Sequence, residues 1–221
     1  MGIFGLWPFI KKKLFDPVQK YIRTDPTEAG PYRRLDLLGS LYPVIRNAYT
    51  FHPMEVAHSI VEKAIRRLVH PTRSIVYIDG APAAEKERTH DQRKSSREKA
   101  VAKGQKELLK LEERVRSSGQ PKKQQFRSVE KAISQSFQWS TEERDSLAKH
   151  LESKGFSVLV CPTEADMQIA KDCQPSDVVI SGDSDLLLYS SINTVWRPVT
   201  KAKILVYNIQ LYEPLESPNN S

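Results

Sequence analysis

Residues 157–185 read SVLVCPTEADMQIAKDCQPSDVVISGDSD, and this stretch decides the fold. Two apolar runs, SVLVC at 157–161 and DVVIS at 177–181, have the length and β-branched content of buried strands. Between them, Thr163 with Asp166 three residues later predicts a helix cap and an acidic first turn. Working outward, SIVYID at 74–79 and KILVY at 203–207 are further buried strands. Residues 54–69 carry apolar positions at helical spacing. Residues 140–154 open on a capping box, Ser140 with Glu143, and close at Gly155. Strands alternating with helices predict an α/β fold whose mostly parallel sheet is covered on both faces.

The chain has 221 residues, enough for one sizeable domain, expected over 1–212 with a flexible tail at 213–221. The segment 85–131 stands apart: it is polar, dense in Lys and Arg, and poor in large apolar residues. It is expected to form a long solvated helix broken near 117–121, or a mobile insertion over the sheet edge. The net charge of +7 and pI near 9.3 favour an anionic partner, nucleic acid first. Cys161 and Cys173 are too few for a disulfide framework, and the five histidines lack zinc-site spacing, so both are expected to be reduced thiols inside a cell. No apolar run approaches the length of a membrane span. The start, MGIFGLWPFIKKK, lacks the basic lead and cleavage site of a secretion signal, and position 6 is Leu, so the myristoylation pattern fails.

The chemistry is expected from six carboxylates in four patches: Asp36, Asp79, the pair Glu164 and Asp166, and the pair Asp183 and Asp185. Asp79 ends an apolar strand and is followed by a Gly and Pro turn, where open α/β sheets bind ligands. If the backbone stays extended after 177–181, Asp183 and Asp185 share one face. Each patch alone also has a plain structural reading. Glu164 and Asp166 suit a helix N-terminus, and the Asp-Ser-Asp triplet suits an Asx turn. Several carboxylates buried together are unfavourable unless cations neutralise them. Oxygen-ligated Mg²⁺ or Mn²⁺ fits that need, and a pair of ions about 4 Å apart stabilises both the attacking and the leaving oxygen of a phosphodiester displacement.

At these residues the chain resembles the flap endonuclease/XPG family of structure-specific 5′-nucleases, which have a PIN-like α/β/α core. The opening MGI-x-GL stands intact. The family's first acid matches Asp36, in RRLDLLGS, and its second matches Asp79 with Gly80 and Pro82 behind it. Its P-x-E-A-E patch matches Pro162, Glu164, Ala165 and Asp166, and its D-x-D patch matches Asp183 and Asp185. The resemblance implies a three-layer α/β/α PIN-like domain with 85–131 as a basic helical arch. It implies two divalent ions on the six acids, and catalytic roles for those acids and for Lys86 and Arg93. It implies nucleic-acid contacts from Gly2, Lys86, Arg93 and Arg97. Phe4, Leu6, Trp7 and Phe9 are expected in the core or under bases. The chain departs from the pattern in three ways: GPYRRLD precedes the first acid instead of an apolar strand, Asp166 stands where Glu is usual, and no later helical duplex-binding module follows. A further domain or partner is expected to supply that module.

The resulting expectation is a divalent-metal-dependent nuclease cutting at flaps, junctions or 5′ ends, on DNA or RNA with DNA favoured and no membrane involved. The expected compartment is the nucleus, with the mitochondrion as alternative. The competing expectation is a catalytically weakened domain of the same shape that binds RNA or protein as a scaffold.

Overall fold

The computed structural model describes residues 7–8, 18–21, 30–80, 87–117, 119–120, 122–200 and 203–209. The strands are β1 (Val18–Tyr21), β2 (Arg33–Asp36), β3 (Ser74–Ile78), β4 (Ser157–Val160), β5 (Val178–Ile180), β6 (Thr194–Thr200) and β7 (Lys203–Asn208). The helices are α1 (Leu37–Phe51), α2 (Met54–Ile65), α3 (Glu87–Arg116), α4 (Lys123–Ser136), α5 (Thr141–Ser153) and α6 (Ala165–Asp172). The seven strands form one sheet in the order β1-β7-β6-β5-β2-β3-β4. The run from β6 to β4 is parallel throughout, while β7 pairs antiparallel with both β6 and β1. The mostly parallel sheet expected from sequence is the sheet observed.

Strand alternation divides the core between the two faces. Val76, Ile78, Val178 and Ile180 pack on one face with Ile45 of α1, Val61 of α2 and Leu147 of α5. Tyr77 and Val179 point the other way, to Ile169 of α6 and Leu186. Each fully buried aliphatic chain of this kind stabilises by roughly 1.5–3 kcal/mol. Helices on both faces make the three-layer α/β/α arrangement. α5 begins at the predicted box, with Ser140 Oγ accepting from Glu143 N at 3.1 Å and Glu143 Oε2 accepting from Ser140 N at 2.7 Å.

The polar sequence ahead of Asp36 has a structural explanation. Arg33 and Arg34 are both buried in the central strand β2, on opposite faces, and each finds partners. Arg33 Nη1 donates to the Leu68 carbonyl at 3.2 Å, and its guanidinium lies 4.9 Å over the Trp196 ring. Arg34 donates from Nε to Asp177 Oδ2 at 2.7 Å and from Nη1 to the Tyr77 hydroxyl at 2.6 Å. The Tyr77 hydroxyl in turn donates to Asp172 Oδ2 at 3.0 Å. An unpaired buried charge is strongly unfavourable, so a chain of satisfied partners is what lets two arginines occupy a central strand.

Residues 87–136 form a helical hairpin, α3 and α4 joined by a short connection. Among the described residues no helix is long and apolar enough to cross a membrane.

Candidate active site

All four acidic patches lie along one edge of the sheet. Because β5, β2, β3 and β4 are parallel neighbours, their carboxyl ends share that edge. Asp36 is the last residue of β2, Asp79 follows β3, Glu164 and Asp166 follow β4, and Asp183 follows β5. The chain lays β3 and β4 on one side of β2 and returns to place β5 on the other. Asp36 and Asp183 therefore flank the point where strand order reverses, the usual ligand crevice of such sheets.

Asp36 is held hard in place. It caps α1, its Oδ1 accepting from Gly39 N at 2.9 Å, while its Oδ2 accepts from the Ser181 hydroxyl at 2.6 Å. Ser181 Oγ in turn accepts from Asp183 N at 2.9 Å. One hydroxyl thus ties the β2 acid to the β5 acid. Gly39 is required here: a methyl group on it would run into the Asp36 carboxylate and the Ser181 hydroxyl. Asp79 Oδ1 accepts from Ala165 N at 2.6 Å, which binds it to the start of α6. Gly80 N donates to the Thr163 carbonyl at 2.7 Å, and a methyl at Gly80 would collide with the Cys161 carbonyl.

The electrostatics join the six acids into one neighbourhood. Burial first, then the charges of Asp79 and Asp183, push the Asp36 carboxyl up to about 6, against the hydrogen bonds from Ser181 and Gly39. Asp79 is raised by burial and by Asp166 and Glu164, opposed by the Ala165 N–H. Tyr189, whose hydroxyl donates to Asp166 Oδ2 at 3.5 Å, is raised by burial and by Asp166, Asp185 and Glu164. Burial, with Asp79 as the next cause, pushes the Cys161 thiol up to about 11, so at neutral pH it stays a protonated thiol. Both cysteines are free and buried.

Two local expectations are corrected. Glu164, not Thr163, is the N-cap of α6, and it makes no side-chain cap bond. Thr163 instead spends its carbonyl on Gly80. The backbone is not extended through Asp183 and Asp185: β5 ends at Ile180, a 3₁₀ turn begins at Asp185, and Asp185 N donates to Asp183 Oδ1 at 3.0 Å. The triplet is the Asx turn that its composition allows.

Three contributors carry no signal in the sequence that singles them out. Ser181 and Gly39 belong to no motif of their own. Arg144 sits inside the capping stretch, yet its Nη1 donates to the carbonyls of Asp79 at 2.9 Å and Gly80 at 2.6 Å, and its Nη2 to Thr141 Oγ1 at 2.9 Å. It clamps the turn that carries Asp79. Gly2 and Lys86 lie outside the described residues, as do Phe4, Leu6 and Phe9. The Arg93 backbone lies in α3 but its side chain is not among those described. Arg97 is partly exposed on the same helix. Trp7 packs on the core, its ring 4.9 Å from that of Tyr207 and its Nε1 donating to the Gly182 carbonyl at 3.0 Å. Among the described residues no group of three or more carboxylate, imidazole or thiol side chains stands close enough together to hold an ion.

No protein-family model matches the chain, and no curated protein matches it in sequence. Solved structures do match in shape. Three structures of the catalytic core of Rad2 in complex with DNA substrate superpose with TM-scores of 0.54, 0.51 and 0.50 at 14%, 14% and 13% identity. Each alignment covers 95% of this chain but only 55–56% of the Rad2 chain. The chain therefore spans a little over half the length of the Rad2 cores it matches, and what it shares with them is the fold: it has the α/β/α architecture of the Rad2 catalytic core.

Proposed function

We propose that the protein is a divalent-metal-dependent nuclease that hydrolyses phosphodiester bonds in nucleic acid at flaps, junctions or 5′ ends. The observation that carries this reading is the convergence of four acidic patches on the switch-point edge of a sheet with the Rad2 architecture. The Rad2 structures contain DNA, which favours DNA over RNA as the substrate here.

The donor set suits Mg²⁺ or Mn²⁺. Every candidate ligand is a hard carboxylate oxygen, and the upward push on Asp36 and Asp79 includes the repulsion that a cation relieves. Ser184, between Asp183 and Asp185, is fully buried with an unpartnered hydroxyl. Asp36, Asp79, Glu164, Asp166, Asp183 and Asp185 would hold the ions, which when bound supply Lewis-acid stabilisation of phosphate charge and an acidified water. Around them the chain's own residues do the positioning. Ser181 and Gly39 fix the Asp36 carboxylate, and the Ala165 N–H with the Arg144 clamp fixes Asp79 and its turn. The hairpin of α3 and α4 would serve as the arch, with Arg93, Arg97 and Lys86 gripping the strand and Gly2 letting the N-terminal backbone approach it.

The scaffold reading draws on a different observation, that among the described residues the acids are not already gathered to coordination distance. A cleavage panel separates the two. Labelled 5′-flap DNA, nicked duplex, single strands and RNA are incubated with and without Mg²⁺ or Mn²⁺. Cutting that needs metal and stops with EDTA supports the nuclease. Metal-independent binding with no cutting on any substrate supports the scaffold.

A further inference from the structure

The acidic edge is held in part by a residue far away in sequence. Trp7 lies 175 residues before Gly182, and its Nε1 donates to the Gly182 carbonyl at 3.0 Å. That carbonyl and the Asp183 N–H belong to one planar peptide unit. The N–H end donates to Ser181 Oγ at 2.9 Å. The unit that leads into the Asp-Ser-Asp turn is thus gripped at both ends, by the indole on one side and the Ser181 hydroxyl on the other. Gly182 N adds a third tie, donating to the Gly39 carbonyl at 3.1 Å. A methyl on Gly182 would lie 2.6 Å from that carbonyl oxygen, so the two backbones meet directly. The indole is itself aimed. Its ring sits 4.9 Å from that of Tyr207 at an interplanar angle of 45°, and the Arg197 guanidinium lies 4.3 Å from its centroid. Tyr207 is buried on β7 and Arg197 belongs to β6, so the sheet fixes the direction of the N–H. Packing alone does not call for this residue, because a phenylalanine ring also packs on an aromatic and under a cation. What phenylalanine lacks is the donor pointed at the Gly182 carbonyl.

We propose that Trp7 is a positioning residue for Asp183. It acts through the Gly182 carbonyl, not on substrate or ion, and it sets where the Asp183 carboxylate stands on the acidic edge. Its effect on cutting rests on the nuclease reading; its effect on the turn does not. Order passes on from Asp183 within the turn. Asp183 Oδ1 accepts from Asp185 N at 3.0 Å, so a peptide unit that rotates displaces both acids. Ser181 Oγ also donates to Asp36 Oδ2 at 2.6 Å, which joins the same unit to the β2 acid. Loss of the indole N–H therefore loosens Asp183 and Asp185 first. Asp79 keeps its place, because the Ala165 N–H and the Arg144 clamp hold it independently.

The test compares the full 221-residue chain with Trp7→Phe and with Trp139→Phe, whose ring packs on the core of the other sheet face. Amide hydrogen exchange is read first, without metal or nucleic acid. In Trp7→Phe the Gly182, Asp183 and Asp185 amides should exchange at least about fivefold faster, with Gly80 and Ala165 within about twofold of the parent. Mn²⁺ titrated by calorimetry should bind at least about fivefold more weakly. With Mg²⁺ and labelled 5′-flap DNA, kcat should fall by a similar factor at unchanged KM. Trp139→Phe should match the parent in all three. Unchanged exchange at Gly182, Asp183 and Asp185 overturns the proposal. So does faster exchange that extends equally to Gly80 and Ala165, or a Trp7→Phe chain that does not fold, since either makes the ring a packing element only. Where the parent cuts, unchanged Mn²⁺ affinity and kcat in Trp7→Phe overturn it as well. A parent that neither binds Mn²⁺ nor cuts defeats the nuclease reading alone, and the exchange pattern then decides what Trp7 does.

Discussion

The core and the hairpin of this molecule are built on opposite terms. Of the chain's 34 basic and 27 acidic residues, 14 and 7 fall between 87 and 136, which leaves 20 of each for the rest. The whole net charge of +7 therefore resides in the hairpin, and the rest of the chain is neutral. In the α/β body, Leu35, Ile45, Val61, Val76 and Leu147 are completely buried, whereas in the hairpin Leu109 is 64% exposed. The lesson is a division of labour: burial and hydrogen bonding fix the acidic edge, while the hairpin contributes field and surface. Substitutions should accordingly divide into those that move stability and those that move binding.

The largest expected effect is in the body. Ile45→Ala or Leu147→Ala should lose ~2–5 kcal/mol in urea unfolding, and Leu109→Ala should stay within ~0.5 kcal/mol. An equal loss at Leu109 would break the comparison. Next, Arg34→Met leaves Asp177 buried without its partner and should cost ~3–5 kcal/mol. Arg34→Met with Asp177→Leu should recover much of that loss if the pairing, not the arginine, is what β2 needs.

The acidic edge makes a prediction of opposite sign. A carboxyl whose folded pKa lies above its unfolded one contributes most below the unfolded value and loses that contribution as pH rises through the folded value. For Asp36 the window runs from 3.8 to about 6, corresponding to ~3 kcal/mol. Without divalent ions, Asp36→Asn should thus be more stable than the parent by up to ~3 kcal/mol at pH 7.5, with the gain gone below pH ~4. Unfolding curves across that range check it, and millimolar Mn²⁺ should favour the parent over the variant. The smallest effect on stability belongs to the hairpin. Replacing Lys99, Lys103, Lys106 and Lys110 by Gln should leave unfolding within ~0.5 kcal/mol. The same change should flatten the salt dependence of binding to duplex DNA, by roughly 0.9 in log–log slope for each phosphate that a lysine no longer neutralises.

How much of this was legible follows the same division. The runs at 157–161 and 177–181 are apolar and β-branched, so the parallel strands and the acids at their ends could be read directly. The polar run before Asp36 hid a central strand, because Arg33 and Arg34 are tolerable only through Leu68, Trp196, Asp177 and Tyr77, all remote in sequence. The Asp-Ser-Asp turn was ambiguous because extended and Asx-turn backbones suit the same residues. Ser181 and Arg144 gave no local signal, since a hydroxyl or guanidinium becomes a positioning group only when the sheet brings its carboxylate or carbonyl to it. In the hairpin, a polar and basic composition announced solvent exposure, and two helices carry it.

The most direct test compares cleavage and binding of a labelled 5′-flap duplex in Mg²⁺ by the parent, by Asp183→Asn, and by the variant with Lys99, Lys103, Lys106 and Lys110 changed to Gln. The division of labour predicts that Asp183→Asn binds like the parent and does not cut, and that the lysine variant binds weakly yet still cuts when enough protein is present. Undiminished cutting by Asp183→Asn, or loss of binding from that change alone, would contradict it.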